Sequence, residues 1–229
     1  MTVYRLTKDL IFPDPTLADP EGLLAVGGDL SSERLLLAYS MGIFPWYSHG
    51  QPILWWSPDP RLILVPTGIH TSKSLNRVLR SNKYEYRFDT DFLGVICNCS
   101  QVERNGQDGT WITNEMIEAY YHLHRLGYAH SVETYSENRL VGGLYGISLG
   151  HAFFGESMFS HKPDASKAAL VNLTQRLVDW KFDFIDCQVR TNHLVSMGAI
   201  DVGRDDFLEK LYYALQYETR KGSWTSFAS

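Results

Sequence analysis

The chain has 229 residues, a formal net charge of −5, a pI near 5.9, 44% hydrophobic and 21% charged residues. That balance suits a folded protein built as one large domain, or as a small domain joined to a larger one. No apolar run approaches the roughly 20 residues of a membrane span, and the mild acidity argues against broad nucleic-acid binding while leaving room for a local basic patch. Met1-Thr2-Val3-Tyr4-Arg5 lacks the apolar core of a secretory leader. The three cysteines make an odd count, with Cys97 and Cys99 too close to frame a disulfide scaffold, so a reduced, cytoplasmic protein is expected.

From Met1 to about Pro60 the chain is loop-rich and aromatic. Residues 23–26 read as a short buried strand ending at Gly27-Gly28. Asp29, Ser31 or Ser32 then caps a helix through 35–39, which Gly42 stops. Half of the six tryptophans, Trp46, Trp55 and Trp56, follow between Gly42 and Arg61, broken up by prolines. Proline fixes φ and removes a donor, which argues against a long helix or a central strand here. Such a segment is either a corner packed on a core or a stiff aromatic wall for a ligand.

Residues 61–65 form a predicted strand that opens a second domain. Thr71 or Ser72 caps a helix whose Lys73, Arg77 and Arg80 share one face, with Leu75, Val78 and Leu79 toward the other. Phe92, Val95, Ile96, Cys99 and Val102 recur at helical spacing. Thr113 or Asn114 caps a third helix through Leu123, which Gly127 ends. The period then falls to two: 131–135, 140–147 and 152–159 read as three strands of an antiparallel meander, with turns at 136–139 and 149–151. Ser166 caps a helix through Leu177. A strand at 182–189, a helix near 193–197, a strand near 199–202 and a helix over 206–215 complete an α+β arrangement.

Strict alternation in the strand at 182–189 puts Phe182, Phe184, Asp186 and Gln188 on one face. Burying an amide-like group unpaired costs roughly 2–7 kcal/mol. The acid and the amide are therefore paired, at a strand end emerging into water, or functional. Glu156 repeats the anomaly on a face shared with Ala152, Phe154 and Met158, so two strands with inward acids could frame one site. The cationic face, extended by Lys83 and Arg87, has Glu85 as its one acid and is either a phosphate-binding patch or a solvated helix face. Other signals fail. His122 and His124 do not face each other on a helix, and Cys97-x-Cys99 lacks a second ligand pair. Gly27-Gly28 lacks the dinucleotide-binding glycine pattern, and Ser157 has no evident histidine partner. Neither a metal nor a covalent mechanism is expected.

Taken together, several segments resemble the bacterial leucyl/phenylalanyl-tRNA–protein transferase family. They are Gly22-Leu23-Leu24-Ala25-Val26-Gly27-Gly28-Asp29-Leu30, residues 42–61, Gly109-Thr110-Trp111-Ile112-Thr113, Leu140-Val141-Gly142-Gly143-Leu144-Tyr145-Gly146, Phe154-Gly155-Glu156-Ser157-Met158-Phe159-Ser160, Ala165-Ser166-Lys167 and Ile185-Asp186-Cys187-Gln188-Val189. They span nearly the whole chain in order.

The resemblance implies a small mixed N-terminal domain over 1–60 and an acetyltransferase-like (GNAT) domain over 61–229, with a largely antiparallel sheet flanked by helices. It implies transfer of Leu, Phe or, less readily, Met from its tRNA to the N-terminal Arg or Lys of a protein, marking that protein for N-end-rule degradation, with no cofactor and no metal. By the same resemblance Asp186 and Gln188 are catalytic, with Asp186 orienting the acceptor amine directly or through Gln188. Glu156 would hold the cationic acceptor side chain. Trp46, Trp111, Tyr120 and Phe153 would line the aminoacyl pocket, with Ser157 among the substrate-binding residues. Lys73, Arg77, Arg80 and Lys83 would contact the tRNA backbone, Trp55 and Trp56 would hold the domains together, and a monomer is expected. Two rivals stand beside this reading: another acyltransferase, using acetyl-CoA or aminoacyl-tRNA, and a non-catalytic RNA-binding module. The loop 161–166 contains none of the glycines with which acetyl-CoA enzymes cradle pyrophosphate, which counts against the acetyl-CoA reading. The tail 221–229 departs from the family pattern.

Overall fold

The computed structural model describes residues 3–102 and 112–225. Two sheets organise them. The first has the order β1-β2-β4-β3, with β1 Tyr4–Leu6, β2 Leu23–Gly27, β3 Phe44–Pro45 and β4 Leu54–Trp56. Its helix α1, Ser32–Ser40, is capped by the Ser31 hydroxyl, which accepts the Arg34 N–H at 3.4 Å. Gly42 follows at φ 72°, and a Cβ there would lie 2.8 Å from the Phe207 ring. Glycine therefore both turns the chain and admits the C-terminal helix.

The tryptophan segment corrects one expectation: β4 is an inner strand. Pro45 lies on the edge strand β3, where a missing donor is harmless, and Pro52 and Pro58 flank β4. Leu54-Trp55-Trp56 is thus free to pair with β2 on one side and β3 on the other.

The second sheet has seven strands in the order β11-β5-β10-β9-β8-β7-β6. They are β5 Arg61–Leu64, β6 Glu85–Phe88, β7 Ala129–Ser136, β8 Arg139–Leu149, β9 Ala152–Ser160, β10 Phe184–Gln188 and β11 Ile200–Val202. The meander β7-β8-β9 forms as its period-two pattern predicts. Only β9 and β10 are parallel neighbours in this sheet. The remaining helices are α2 Lys73–Arg80, α3 Phe92–Ser100, α4 Asn114–Arg125, α5 Ala165–Asp179, α6 Asn192–Ser196 and α7 Arg204–Ala214. The α+β reading therefore holds. Ser166 is not the cap of α5: Asp164, at φ 63°, takes that position, and Ser166 sits in the first turn.

One apolar core runs from Leu24, Tyr39 and Trp55 of the first sheet to Tyr120, Phe154, Phe184 and Phe207, joining the N-terminal strands to one face of the large sheet. A second core covers the opposite face with Leu170 and Leu173 of α5, Phe153, Ile185 and Trp224. No helix among the described residues is long and apolar enough to cross a membrane.

Candidate active site

Hydrogen-bonded pairing between β9 and β10 reaches Phe154 opposite Asp186 and goes no further. Each strand then bulges. Glu156 is the extra residue of β9, because Gly155 pairs with Gly146 and Ser157 with Tyr145. Cys187 is the extra residue of β10, because Asp186 pairs with Ile63 and Gln188 with Leu62. A bulge breaks strict alternation. Phe154 accordingly packs in the first core and Met158 against the second, correcting the single face drawn through both. Phe182 precedes β10 and packs in the second core, opposite Phe184.

The parted strands open a cavity of about 520 Å³. Gly155, Glu156, Ser157 and Met158 line it from β9, and Ile185, Cys187 and Gln188 from β10. Phe44, Pro45 and Trp46 close it from the N-terminal sheet, and Phe153, Leu170 and Leu173 add apolar wall. A mostly apolar hollow with a few convergent polar groups is the usual form of a small-ligand site.

Asp186 is fully buried and does not line the cavity. Arg61 donates to both its oxygens, from Nε at 2.8 Å and Nη2 at 2.7 Å. The guanidinium lies between the Phe44 and Phe207 rings, 4.7 and 4.6 Å from their centroids. The Gln188 N–H also donates to Asp186 Oδ1, at 2.8 Å. That bond holds Gln188 at φ 61°, a left-handed conformation costing a non-glycine residue roughly 1–2 kcal/mol. Arg61 thus fixes Asp186, Asp186 fixes the Gln188 backbone, and the Gln188 side chain donates from Nε2 to Glu156 Oε1 at 2.7 Å.

Glu156 accepts two further hydrogen bonds, from the Tyr39 hydroxyl at 2.7 Å and the Tyr120 hydroxyl at 3.0 Å, and the two hydroxyls are 2.5 Å apart. This triangle has three oxygen–oxygen contacts, and two hydroxyls supply two hydrogens. An ionised carboxylate, which only accepts, leaves the tyrosine–tyrosine contact without one. A protonated Glu156 supplies the third. Burial pushes the Glu156 carboxyl up to about 7 against the lowering effect of its three donors, with the Asp186 charge raising it further. Burial also raises both tyrosine hydroxyls well above their ordinary range, so they remain protonated. Glu156 is therefore poised between its two forms at neutral pH.

Of the residues singled out from the sequence, Trp46, Phe153, Glu156, Ser157 and Gln188 meet at the cavity. Tyr120 stands behind Glu156, and Trp111 lies outside the described residues. Trp55 and Trp56 make their indole hydrogen bonds within the N-terminal sheet: Trp55 Nε1 donates to the Gly27 carbonyl at 2.8 Å, and Trp56 Nε1 to the Trp46 carbonyl at 2.7 Å. Trp56 thereby anchors the cavity-lining tryptophan. Lys73, Arg77 and Arg80 are exposed around an open dent on α2, and none is ion-paired among the described residues. Lys83 is exposed with its ammonium over the Tyr84 ring, whereas Arg87 is tied to Glu85 at 2.7 Å.

Arg61, Tyr39, Cys187 and His193 were not singled out. An arginine opening the apolar run Leu62-Ile63-Leu64 and a tyrosine on the apolar face of α1 were the available signals. Burial pushes the Cys187 thiol well above its ordinary range, so this cavity-lining sulfur is no nucleophile at neutral pH. Burial and the nearby Lys167 push the His193 imidazole down, leaving it neutral at the cavity wall.

Comparison with known proteins identifies the family of the chain. The profile described as leucyl/phenylalanyl-tRNA protein transferase matches residues 63–212, and that of the transferase N-terminal domain matches residues 28–59. A leucyl/phenylalanyl-tRNA–protein transferase of an Anaeromyxobacter species is 56% identical over 224 residues, covering 98% of this chain and 95% of that protein. The protein of the same name from Myxococcus xanthus is 54% identical over 231 residues, covering 100% of this chain and 99% of that one. A distant likeness among solved structures is an aminoglycoside acetyltransferase from a soil metagenome, 14% identical with a TM-score of 0.36 over 65% of this chain and 97% of that one. With a family profile covering most of its length and relatives above half identity from end to end, the chain belongs to the leucyl/phenylalanyl-tRNA–protein transferase family.

Proposed function

We propose that this chain transfers Leu or Phe, and less readily Met, from aminoacyl-tRNA to the N-terminal Arg or Lys of acceptor proteins in the cytoplasm. A small N-terminal domain over 1–60 would close the pocket of a transferase domain over 61–229, acting as a monomer. The carrying observation is the apolar cavity with Glu156 and Gln188 on its wall. The donor ester is already activated, so catalysis needs a positioned neutral amine and stabilisation of the tetrahedral oxyanion. The acceptor nitrogen attacks the ester carbonyl, the bond to the ribose oxygen breaks, and the proton lost by the amine ends on that oxygen. An α-amine has a pKa near 8, so the mostly protonated acceptor first gives up one proton to solvent, and its neutral form is what attacks. Gln188 holds the attacking group by hydrogen bonding, and Asp186 acts through it as a positioning residue. Glu156 in its ionised form pairs with the cationic acceptor side chain. The apolar walls admit side chains unbranched at Cβ and crowd branched ones, a steric difference of roughly 1–3 kcal/mol per methylene-sized change.

Supplying Leu-, Phe- and Ile-tRNA with a peptide beginning in Arg should give transfer of Leu and Phe and little Ile. Acetylation from acetyl-CoA with no aminoacyl transfer would overturn the reading. The exposed α2 cations, with Lys83, suit the tRNA backbone. Arg77→Ala with Arg80→Ala should weaken tRNA binding and flatten its salt dependence, by roughly 0.7–0.9 in log–log slope for each phosphate no longer neutralised. An unchanged slope in a binding titration places the tRNA elsewhere.

A further inference from the structure

Trp224 is among the largest fully buried side chains, 1% exposed, although it lies beyond the residues that the family profile matches. Its ring stands 5.9 Å from that of Phe153, which lines the cavity, while Trp224 itself does not. Elsewhere it stacks on His130 at 3.7 Å, almost parallel, and meets Trp180 edge-on at 4.9 Å. Its backbone is fixed at both ends. The Trp224 N–H donates to Asp89 Oδ2 at 2.7 Å, and its carbonyl accepts from Arg176 Nη1 at 2.6 Å. Asp89 is shared with His130, whose Nδ1 is 2.9 Å from the same oxygen. Earlier in the tail, Gly222 N–H donates to the Gly127 carbonyl at 3.2 Å.

Phe153 is confined from another direction as well. A Cβ on Gly146 would lie 2.5 Å from the Phe153 ring, so this ring sits directly against the backbone of β8. The aromatic wall of the cavity is thus held between a glycine backbone and an indole delivered by the C-terminal tail. Close-packed interiors transmit such constraints, because a side chain recedes only into space left behind it.

We propose that Trp224 is a specificity-determining positioning residue: acting through Phe153, it limits how far the cavity wall recedes and so how large an aminoacyl side chain is accepted. The proposal rests on reading the cavity as the aminoacyl pocket. Its test uses the full-length protein with Trp224→Leu and Trp224→Phe. Two ratios are measured: kcat/KM for Phe-tRNA over Leu-tRNA, and the affinity of phenylalanyl over leucyl adenosine 3′-amides. Trp224→Leu should shift both ratios toward phenylalanine by about threefold or more, as added volume in a steric pocket does, with Trp224→Phe in between and tRNA affinity unchanged. Equal losses for both side chains, with constant ratios, would overturn the proposal and leave Trp224 a merely structural residue. Should Trp224→Leu fail to fold, Trp224→Phe decides by the same ratios. A wild-type chain that transfers neither amino acid defeats the functional reading instead, and the amide affinities then decide the role of Trp224.

Discussion

Replacing Asp186 by alanine should abolish transfer and lower stability by about 3–5 kcal/mol, because it strands the buried Arg61 guanidinium without its partner. Arg61 is 1% exposed and lies between two phenylalanine rings, so water cannot replace the missing carboxylate. The same change frees the Gln188 N–H and removes the hydrogen bond that holds this residue in its left-handed conformation. The Gln188 amide then loses its fixed approach to Glu156. Affinity for tRNA should stay close to normal, since the exposed cations of α2 belong to another part of the surface. Thermal melting, filter binding and single-turnover transfer separate these effects. A folded Asp186→Ala protein that transfers at the wild-type rate contradicts the relay from Arg61 to Gln188.

Glu156→Gln should make stability nearly independent of pH near neutrality and remove one of the two ionisations that shape the pH dependence of transfer. The carboxyl is raised from 4.5 in the unfolded chain to about 7 in the fold. Between those values the folded protein holds the extra proton, so stability is fully present below about pH 4.5 and falls as pH rises toward 7, by about 3 kcal/mol in all. Glutamine reproduces the protonated form. Its amide can donate to Tyr120 while its oxygen accepts from Tyr39, which leaves a hydrogen for the contact between the hydroxyls. The variant should therefore fold well and melt at a temperature that changes little between pH 5 and 7. Its transfer should rise through pH 7 only as the acceptor amine loses its proton, whereas that of the wild type should rise more steeply, as Glu156 also ionises to meet a cationic acceptor. Equal rates for the two proteins at pH 8 would remove Glu156 from acceptor recognition.

Much of this site is legible in the sequence, and the parts that are not share a cause. The meander was visible because its strands alternate cleanly over several residues, and the α2 cations because their spacing needs only helical geometry. Asp186, Gln188 and Glu156 stood out as polar residues on apolar strands. Alternation could not foresee the bulges at Glu156 and Cys187, which turn both strands toward one cavity. Nor could local pattern pair Arg61 with Asp186, 125 residues away, or Tyr39 with Tyr120, 81 residues away. The inner position of β4 was hidden by prolines that flank the strand rather than interrupt it. Trp224, in the tail beyond the family profile, gave no sign of burial beyond being a tryptophan.

The most direct test of the account is single-turnover transfer of leucine from its tRNA to a peptide beginning in Arg, comparing wild type with Gln188→Ala. The wild type should transfer leucine, and the variant should do so about 10²-fold more slowly, the usual cost of misplacing a reacting group, with unchanged tRNA affinity and an unchanged fold. Undiminished transfer by Gln188→Ala would contradict the placement of the chemistry between β9 and β10.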